Sequence, residues 1–478
     1  MRIKTIKNYF DSDKKAIWLI ALTFLVSRVI YYLVGIRFMF LMGWQTLDLN
    51  LLRHNLIESI FYLHSQPPMQ NLFLGILLKI FDNKWMLAAH FIYIILGLAL
   101  SITLYLLARR LGASRIWGLS ISLFSVVNPA GILYENSFFY SYPTAVMLGL
   151  AALFLHIFVS KWKLKDGIIF FSLAALIILT RSLFHPIWFL AAALLLILIF
   201  KEKYQRKLIL KALIIPLLIV LAWYGKNIYL FGVKESSSWM GMNFTHMTID
   251  RISQQEKEDL VQKGILSRLS LIGAFQSPSE YKNIYPMKET GIAVLDQESM
   301  NSLVYIPASK QLFEDDKNLI LAEPKVYLKS IMISYYIYFL PSSNYSFIAQ
   351  NRQKIELYNR LFNLVAFGKI LGGDQINVSL TPRSIFNLEW FVIILYILMT
   401  VFIIKESCNF FVKKYKLKPE YITTLLFMYE TILYVMLVGN FLELGENHRF
   451  RFLTDPLFFV IVGLMLFSFS KKRKENDA

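Results

Sequence analysis

The sequence predicts an all-α polytopic membrane protein of about ten transmembrane helices, with interfacial helices in the first external loop and a mixed external domain. Two observations carry that class. The 478 residues are 56% hydrophobic and 15% aromatic but only 17% charged, and several apolar runs reach the roughly 20 residues a helix needs to cross hydrocarbon. The second is where the charge lies: the formal net charge is +18, yet Lys and Arg fall in short clusters between apolar runs and at both ends. That spacing is the positive-inside pattern, so the charge reads as topology and not as a nucleic-acid footprint.

Taken in order, the basic N-terminus leads into a first span over 16–38. This run is too long for a signal peptide and lacks a small-residue cleavage site, so it reads as a retained span. It delivers an external loop, 38–85, in which Pro67-Pro68 comes just before a short apolar run. The apolar run 68–81 that follows measures only roughly 20 Å as helix, against roughly 30 Å of hydrocarbon, so it lies at the interface or re-enters. Counting it as a span would also put Arg109, Arg110 and Arg115 outside, against the charge rule. Spans over 86–108, 116–129, 142–159, 168–180, 187–200 and 208–224 then alternate, returning to lysine clusters at 161–165 and 201–211. A more polar stretch, 226–385, reads as a folded external domain in which 326–340 is an interfacial helix. Spans over 391–404, 421–438 and 455–469 complete the fold, between Lys405 to Lys418 and the basic tail Lys471 to Lys474. The division is therefore 1–225, 226–385 and 386–478, with both termini cytoplasmic in the cell's inner (plasma) membrane. Cys408, the only cysteine, falls on the cytoplasmic side and has no partner for a disulfide.

With this topology the unusual polar residues share the outer face. Ionisable groups at membrane depth are costly, and a set converging on one leaflet points to a polar ligand held at the surface. Arg181, Arg449 and Arg451 suit a phosphate or pyrophosphate, whose oxygens a guanidinium fork meets in two places. Asp48 suits a general base, with Glu58 and Glu135 as rivals that could equally pair with Arg53 or cap a short helix. His54, His64 and His185 lie on the same side, and Trp44, Tyr62 and Trp239 could stack on a sugar or belong to an interfacial aromatic belt.

These residues sit in stretches that resemble a known family. LHSQPPMQNLFLGILLKIF resembles a segment of the GT-C membrane glycosyltransferases, which include protein O-mannosyltransferases, aminoarabinose transferases and RgtA/B/C/D-like enzymes. RRLGASRIWGLSISLFSVVNPAGILYENSFFYSYPTA resembles the family's turn and Pro-ended helix, and LTRSLFHPIW its mid-chain Arg segment. LAWYGKNIYLFGVKESSSWMGMNF resembles its exit into the external domain, and GENHRFRFLTDPLFFVI its late Arg-rich segment. The resemblance covers most of the membrane portion.

It implies a polyprenyl-phosphate or pyrophosphate sugar donor in the outer leaflet and a lipid or glycan acceptor, with the sugar transferred by inversion. Asp48 would be the base, with Glu58 and Glu135 as alternatives. Arg181, Arg449 and Arg451 would hold the leaving phosphate, helped by Lys226 and His448 and flanked by Arg53, His64 and His185. Membrane lipids are further partners and nucleic acid is not. No tight carboxylate cluster of the kind a hard cation prefers is visible, so no cofactor is assigned and a divalent metal stays an open alternative. The competing class is a transporter or lipid flippase, against which stands the lack of paired halves and of interrupted mid-membrane helices.

Overall fold

Length and apolarity decide which segments can cross a bilayer. The computed structural model describes residues 13–40, 45–369, 382–412 and 417–476. Its main helices are α1 (Asp13–Leu33), α2 (Leu49–His54), α3 (Leu56–Phe61), α4 (Met69–Phe81), α5 (Trp85–Arg110), α6 (Arg115–Val127), α7 (Pro129–Glu135), α8 (Ser141–Lys161), α9 (Leu164–Thr180), α10 (Pro186–Ile199), α11 (Lys203–Phe231), α12 (Tyr305–Ala322), α13 (Pro324–Tyr338), α14 (Trp390–Phe411), α15 (Pro419–Leu442) and α16 (Asn447–Asn476). The one sheet among the described residues pairs Met39–Phe40 in parallel with Ser137–Phe138. The protein is all-α and multi-pass.

Seven helices are long and apolar enough to span: α1, α4 running into α5, α8, α11, α14, α15 and α16 as far as Lys471. A bent pair, α6 and α7, meets at 57° and makes an eighth if it crosses as one. The break has a local cause. Asn128 precedes Pro129, whose ring pushes it out of the helical region, and its side chain instead accepts from the Ala130 N–H at 3.0 Å to start α7. About ten spans were expected; the other two expected segments, 168–180 and 187–200, lie in α9 and α10, helices of 17 and 14 residues that are shorter than the seven and stand outside that count. At 1.5 Å per residue these reach only roughly 26 and 21 Å, although α9 runs back along α8 far enough to bring Arg181 against Tyr140 at the start of α8.

Helix α8 is the hub and packs against α5, α9, α15 and α16. Helix α16 is the most buried of the spans, and α1 the most peripheral, with Trp18, Leu22 and Leu33 uncovered. Exposed apolar side chains in that number would be a liability in water, and in lipid they are the surface. The first loop folds as the sequence suggests into short helices, α2 and α3, resting on α4. The contact between α3 and α4 is so close that a Cβ on Gly75 would lie 2.2 Å from Leu56 Cδ1.

The boundary expected at 225 falls inside α11, which runs on to Phe231 and is ended by Gly232 at φ +65°, a conformation that glycine adopts without strain. In described residues 232–369, expected to be a mixed domain, the regular elements are helices, joined by turns and coil. They dock on the ends of α15 and α16 through α13, where Ser334 donates to the Asn440 carbonyl at 2.7 Å and Tyr327 to that of Phe441 at 2.9 Å.

Candidate functional site

Arg181 ends α9. It is the C-cap residue in extended conformation, so its side chain leaves the helix axis. The turn that follows is short because Pro186 starts α10 and His185 caps it, Nδ1 accepting from the Ile187 N–H at 3.3 Å. Tyr434 of α15 pins the turn by donating to the Leu183 carbonyl at 2.9 Å and accepting from the His185 N–H at 3.0 Å. Held this way, the Arg181 guanidinium lies 5.0 Å from the Tyr140 ring centre and 4.6 Å from that of Phe450, two aromatic faces that favour a cation. It is buried. Burial draws its pKa below the ordinary value, opposed by Tyr140 and reinforced by the positive charge of Arg449. Its Nη1 is buried with no hydrogen-bond partner among the described residues.

Arg449 arrives from the other end of the chain, in the first turn of α16. Gly445 at φ +121° lets the chain reverse between α15 and α16, and its N–H donates to the Asn447 side chain at 3.0 Å. Arg449 pairs with Glu446 and donates to Tyr140 Oη at 3.1 Å. Arg181 and Arg449 both line a cavity of about 420 Å³, together with Glu443. Glu443 is the C-cap of α15. Burial and then the charge of Glu446 push its carboxyl up, while Arg449 and Arg181 pull it down.

The opposite wall comes from the first loop and the exit of α11, stitched together by backbone hydrogen bonds. Gln66, Ser236 and Ser237 line the cavity. The Ser238 N–H donates to the His64 carbonyl at 2.9 Å, the His64 ring meets Ser238 Oγ at 2.8 Å, and its Nε2 meets the Asn301 carbonyl at 2.9 Å. Burial pulls the His64 pKa to about 3, with Asn301 opposing, so this ring is neutral and acts as a staple between loop and domain. Gln45, which also faces the cavity, is held by Asn71 Nδ2 on its carbonyl at 3.1 Å.

Of the residues singled out from the sequence, the structure brings Arg181, His185 and Arg449 to this cavity. The others lie elsewhere. Asp48 is exposed and caps α2, accepting from the N–H groups of Asn50 and Leu51 at 2.9 and 3.0 Å. Glu58 is exposed and accepts from Asn55 at 3.2 Å. Arg53 pairs with Asp82 at 3.3 Å. Glu135 is fully buried against Arg28, through a two-point contact at 2.8 and 2.6 Å, with Tyr142 donating at 2.8 Å. Gly97 makes the room for it, since a Cβ there would lie 2.3 Å from Glu135 Oε2. Lys226 donates to the Leu63 carbonyl and lies over the Trp223 ring at 3.6 Å. Arg451 is turned inward, to Glu389 at 2.5 Å and Asp455 at 3.5 Å. His448 is fully buried away from the cavity, and neither ring nitrogen has a hydrogen-bond partner among the described residues. Of the aromatics, Trp239 is buried against Phe275, Tyr62 is half-buried, and Trp44 lies outside the described residues.

Sequence reasoning missed Tyr140, Ser236, Ser237, Tyr434 and Glu443. Tyr140, the serines and Glu443 each sat beside a highlighted stretch or inside it; Tyr434, mid-helix in an apolar run, gave no signal. Among the described residues no group of three His, Cys, Asp or Glu side chains is placed to hold a metal ion. Comparison of the chain with models of known families, with curated proteins and with solved structures finds no match.

Proposed function

We propose that the chain is an integral membrane glycosyltransferase of GT-C type, which moves a sugar from a polyprenyl-phosphate donor to an acceptor hydroxyl at the membrane face opposite the lysine-rich loops. The observation that carries this reading is the Arg181 guanidinium facing the cavity, with a buried nitrogen unpartnered among the described residues. A buried donor left unpaired costs free energy until an acceptor reaches it, and a phosphate oxygen is the acceptor a guanidinium matches best. Arg449 adds a second charge to the same cavity.

The chemistry follows from which groups share that space. Glu443 takes the base role in preference to Asp48, because Glu443 faces the arginines and Asp48 spends its oxygens on capping a helix. A carboxylate whose proton affinity is raised is the better proton acceptor at neutral pH. The acceptor hydroxyl gives its proton to Glu443 as its oxygen bonds to the anomeric carbon. The bond from that carbon to the phosphate oxygen breaks on the opposite face, the electron pair stays on the phosphate, and Arg181 and Arg449 stabilise the charge that develops there. Because His185 Nδ1 already accepts from the Ile187 N–H, its neutral ring carries the proton on Nε2 and can donate to the donor headgroup. On this reading the protein resides in the inner membrane with both termini in the cytoplasm, and its partners are the lipid-linked sugar and a lipid or glycan acceptor.

Mass analysis of lipid-linked sugars in cells with and without the protein tests the reading. One polyprenyl-linked sugar should accumulate when the protein is removed, and purified protein in detergent should consume it when given envelope extract. A flippase would leave that lipid intact in detergent, where there is no second leaflet, and would thereby replace the transferase reading.

A further inference from the structure

A second, larger hollow lies at the other end of the bundle. It measures about 990 Å³ and is walled by the ends of α5, α8, α14, α15 and α16. Arg110, Lys405, Lys418 and Lys471 line it, against two carboxylates, Glu406 and Glu420. The arginines at the end of α5 divide sharply. Arg109 binds Asp13 at 3.3 Å, and Arg115 on the next helix binds the same carboxylate at 3.5 Å. Arg110 faces the hollow instead, and neither it nor Lys418 has a salt-bridge partner among the described residues. The same walls carry apolar side chains, Leu111, Leu464 and Phe467.

We propose that this hollow binds the phosphate of an anionic phospholipid from the leaflet at the lysine-rich face. Three features favour a lipid over a soluble anion. Arg110, Lys418 and Lys471 sit where candidate spans begin or end, which is the depth at which hydrocarbon gives way to headgroups. The cations stand beside apolar walls, which suit a glycerol backbone and its first methylenes below a phosphate. Basic pockets between transmembrane helices on the positive side are also the sites that collect anionic headgroups, where each nearby Lys or Arg adds its own increment to the attraction. Nothing in the transferase reading depends on this site, which lies at the end of the bundle away from the Arg181 cavity.

Native mass spectrometry of the purified full-length chain, loaded from mixed phosphatidylglycerol and phosphatidylcholine micelles, tests the proposal. The wild type should retain phosphatidylglycerol preferentially. Arg110→Gln with Lys418→Gln should weaken that retention about 25-fold, at about fivefold for each cation removed. Lys207→Gln with Lys211→Gln, two exposed lysines of α11 that do not line the hollow, should leave it unchanged. Arg110→Lys with Lys418→Arg should restore it, which separates lost charge from misfolding. The proposal is overturned if both glutamine pairs lose the lipid equally. It is overturned as well if millimolar inorganic phosphate displaces the lipid, which would assign the hollow to a soluble anion.

Discussion

Arg451 and Arg181 are both almost fully buried, yet the protein treats them in opposite ways. Arg451 sits between Glu389 and Asp455, with Ser342 accepting from Nη2 at 3.0 Å. Arg28 is paired with Glu135 in a similar way, and Tyr142 donates to that carboxylate. These ion pairs tie α16 to the start of α14 and α1 to the end of α7; Arg451 Nε and Nη1 also lack a hydrogen-bond partner among the described residues, but they lie beside carboxylates. Arg181 has aromatic faces around it, a cavity in front of it and no carboxylate in a salt bridge with it among the described residues. Desolvating a cation is costly in both places, but only in the first does the chain set a carboxylate in direct contact with the guanidinium. The second is built to receive a counter-charge.

The largest expected effect comes from breaking one of these ion pairs. Arg451→Gln leaves Glu389 and Asp455 buried without their counter-ion and should cost about 3–5 kcal/mol of stability, read as a lowered midpoint of thermal unfolding in detergent. If the variant is as stable as the wild type, the distinction between paired and open arginines fails at its first step. The next effect concerns chemistry alone. Glu443→Gln should keep the fold and lose transfer by about 100-fold or more, the scale of a lost general base. In the wild type, burial and Glu446 raise the Glu443 pKa, so its basic form disappears as pH falls through that raised value. Transfer should therefore decline with acidification at a pH above the ordinary carboxylate range, and a pH profile that is flat down to that range would return the role to Asp48, Glu58 or Glu135. The smallest effect belongs to the first loop. Asp48→Asn keeps a side-chain oxygen that can cap α2, so stability should change by less than about 1 kcal/mol, and transfer should persist within a few-fold. Loss of transfer in a folded Asp48→Asn protein would put the base in the loop.

Much of this was legible from pattern, and the rest depended on partners far away in sequence. The apolar runs coincide with every helix among the described residues that is long and apolar enough to span, because the membrane imposes one length and one polarity on each. The expected spans 168–180 and 187–200 coincide with α9 and α10, whose 17 and 14 residues leave them shorter than the seven spanning helices, because a hydropathy window does not see where a cap ends a helix. Arg181, His185 and Arg449 could be found as polar residues stranded beside hydrophobic segments. Their difference from Arg451 could not, since Glu389 lies 62 residues away from it in the chain and was unremarkable on its own. Asp48 attracted the base role because it is an acid in a polar loop, yet an Asp before a short helix is also the ordinary signature of an N-cap. Glu443 closes an apolar run three residues before Glu446 and was overlooked beside it. Arg28 was hidden inside the first span, and only its meeting with Glu135 explains a charge at that depth.

The most direct measurement is retention of polyprenyl phosphate by purified wild-type, Arg181→Gln and Lys226→Gln proteins, followed by native mass spectrometry. Arg181→Gln should fold normally and bind the lipid about 10-fold to 100-fold more weakly, the loss of one charge-assisted contact, whereas Lys226→Gln, whose amine is spent on the Leu63 carbonyl, should bind as the wild type does. Equal retention by wild-type and Arg181→Gln proteins would contradict the assignment of this cavity to a lipid-linked phosphate.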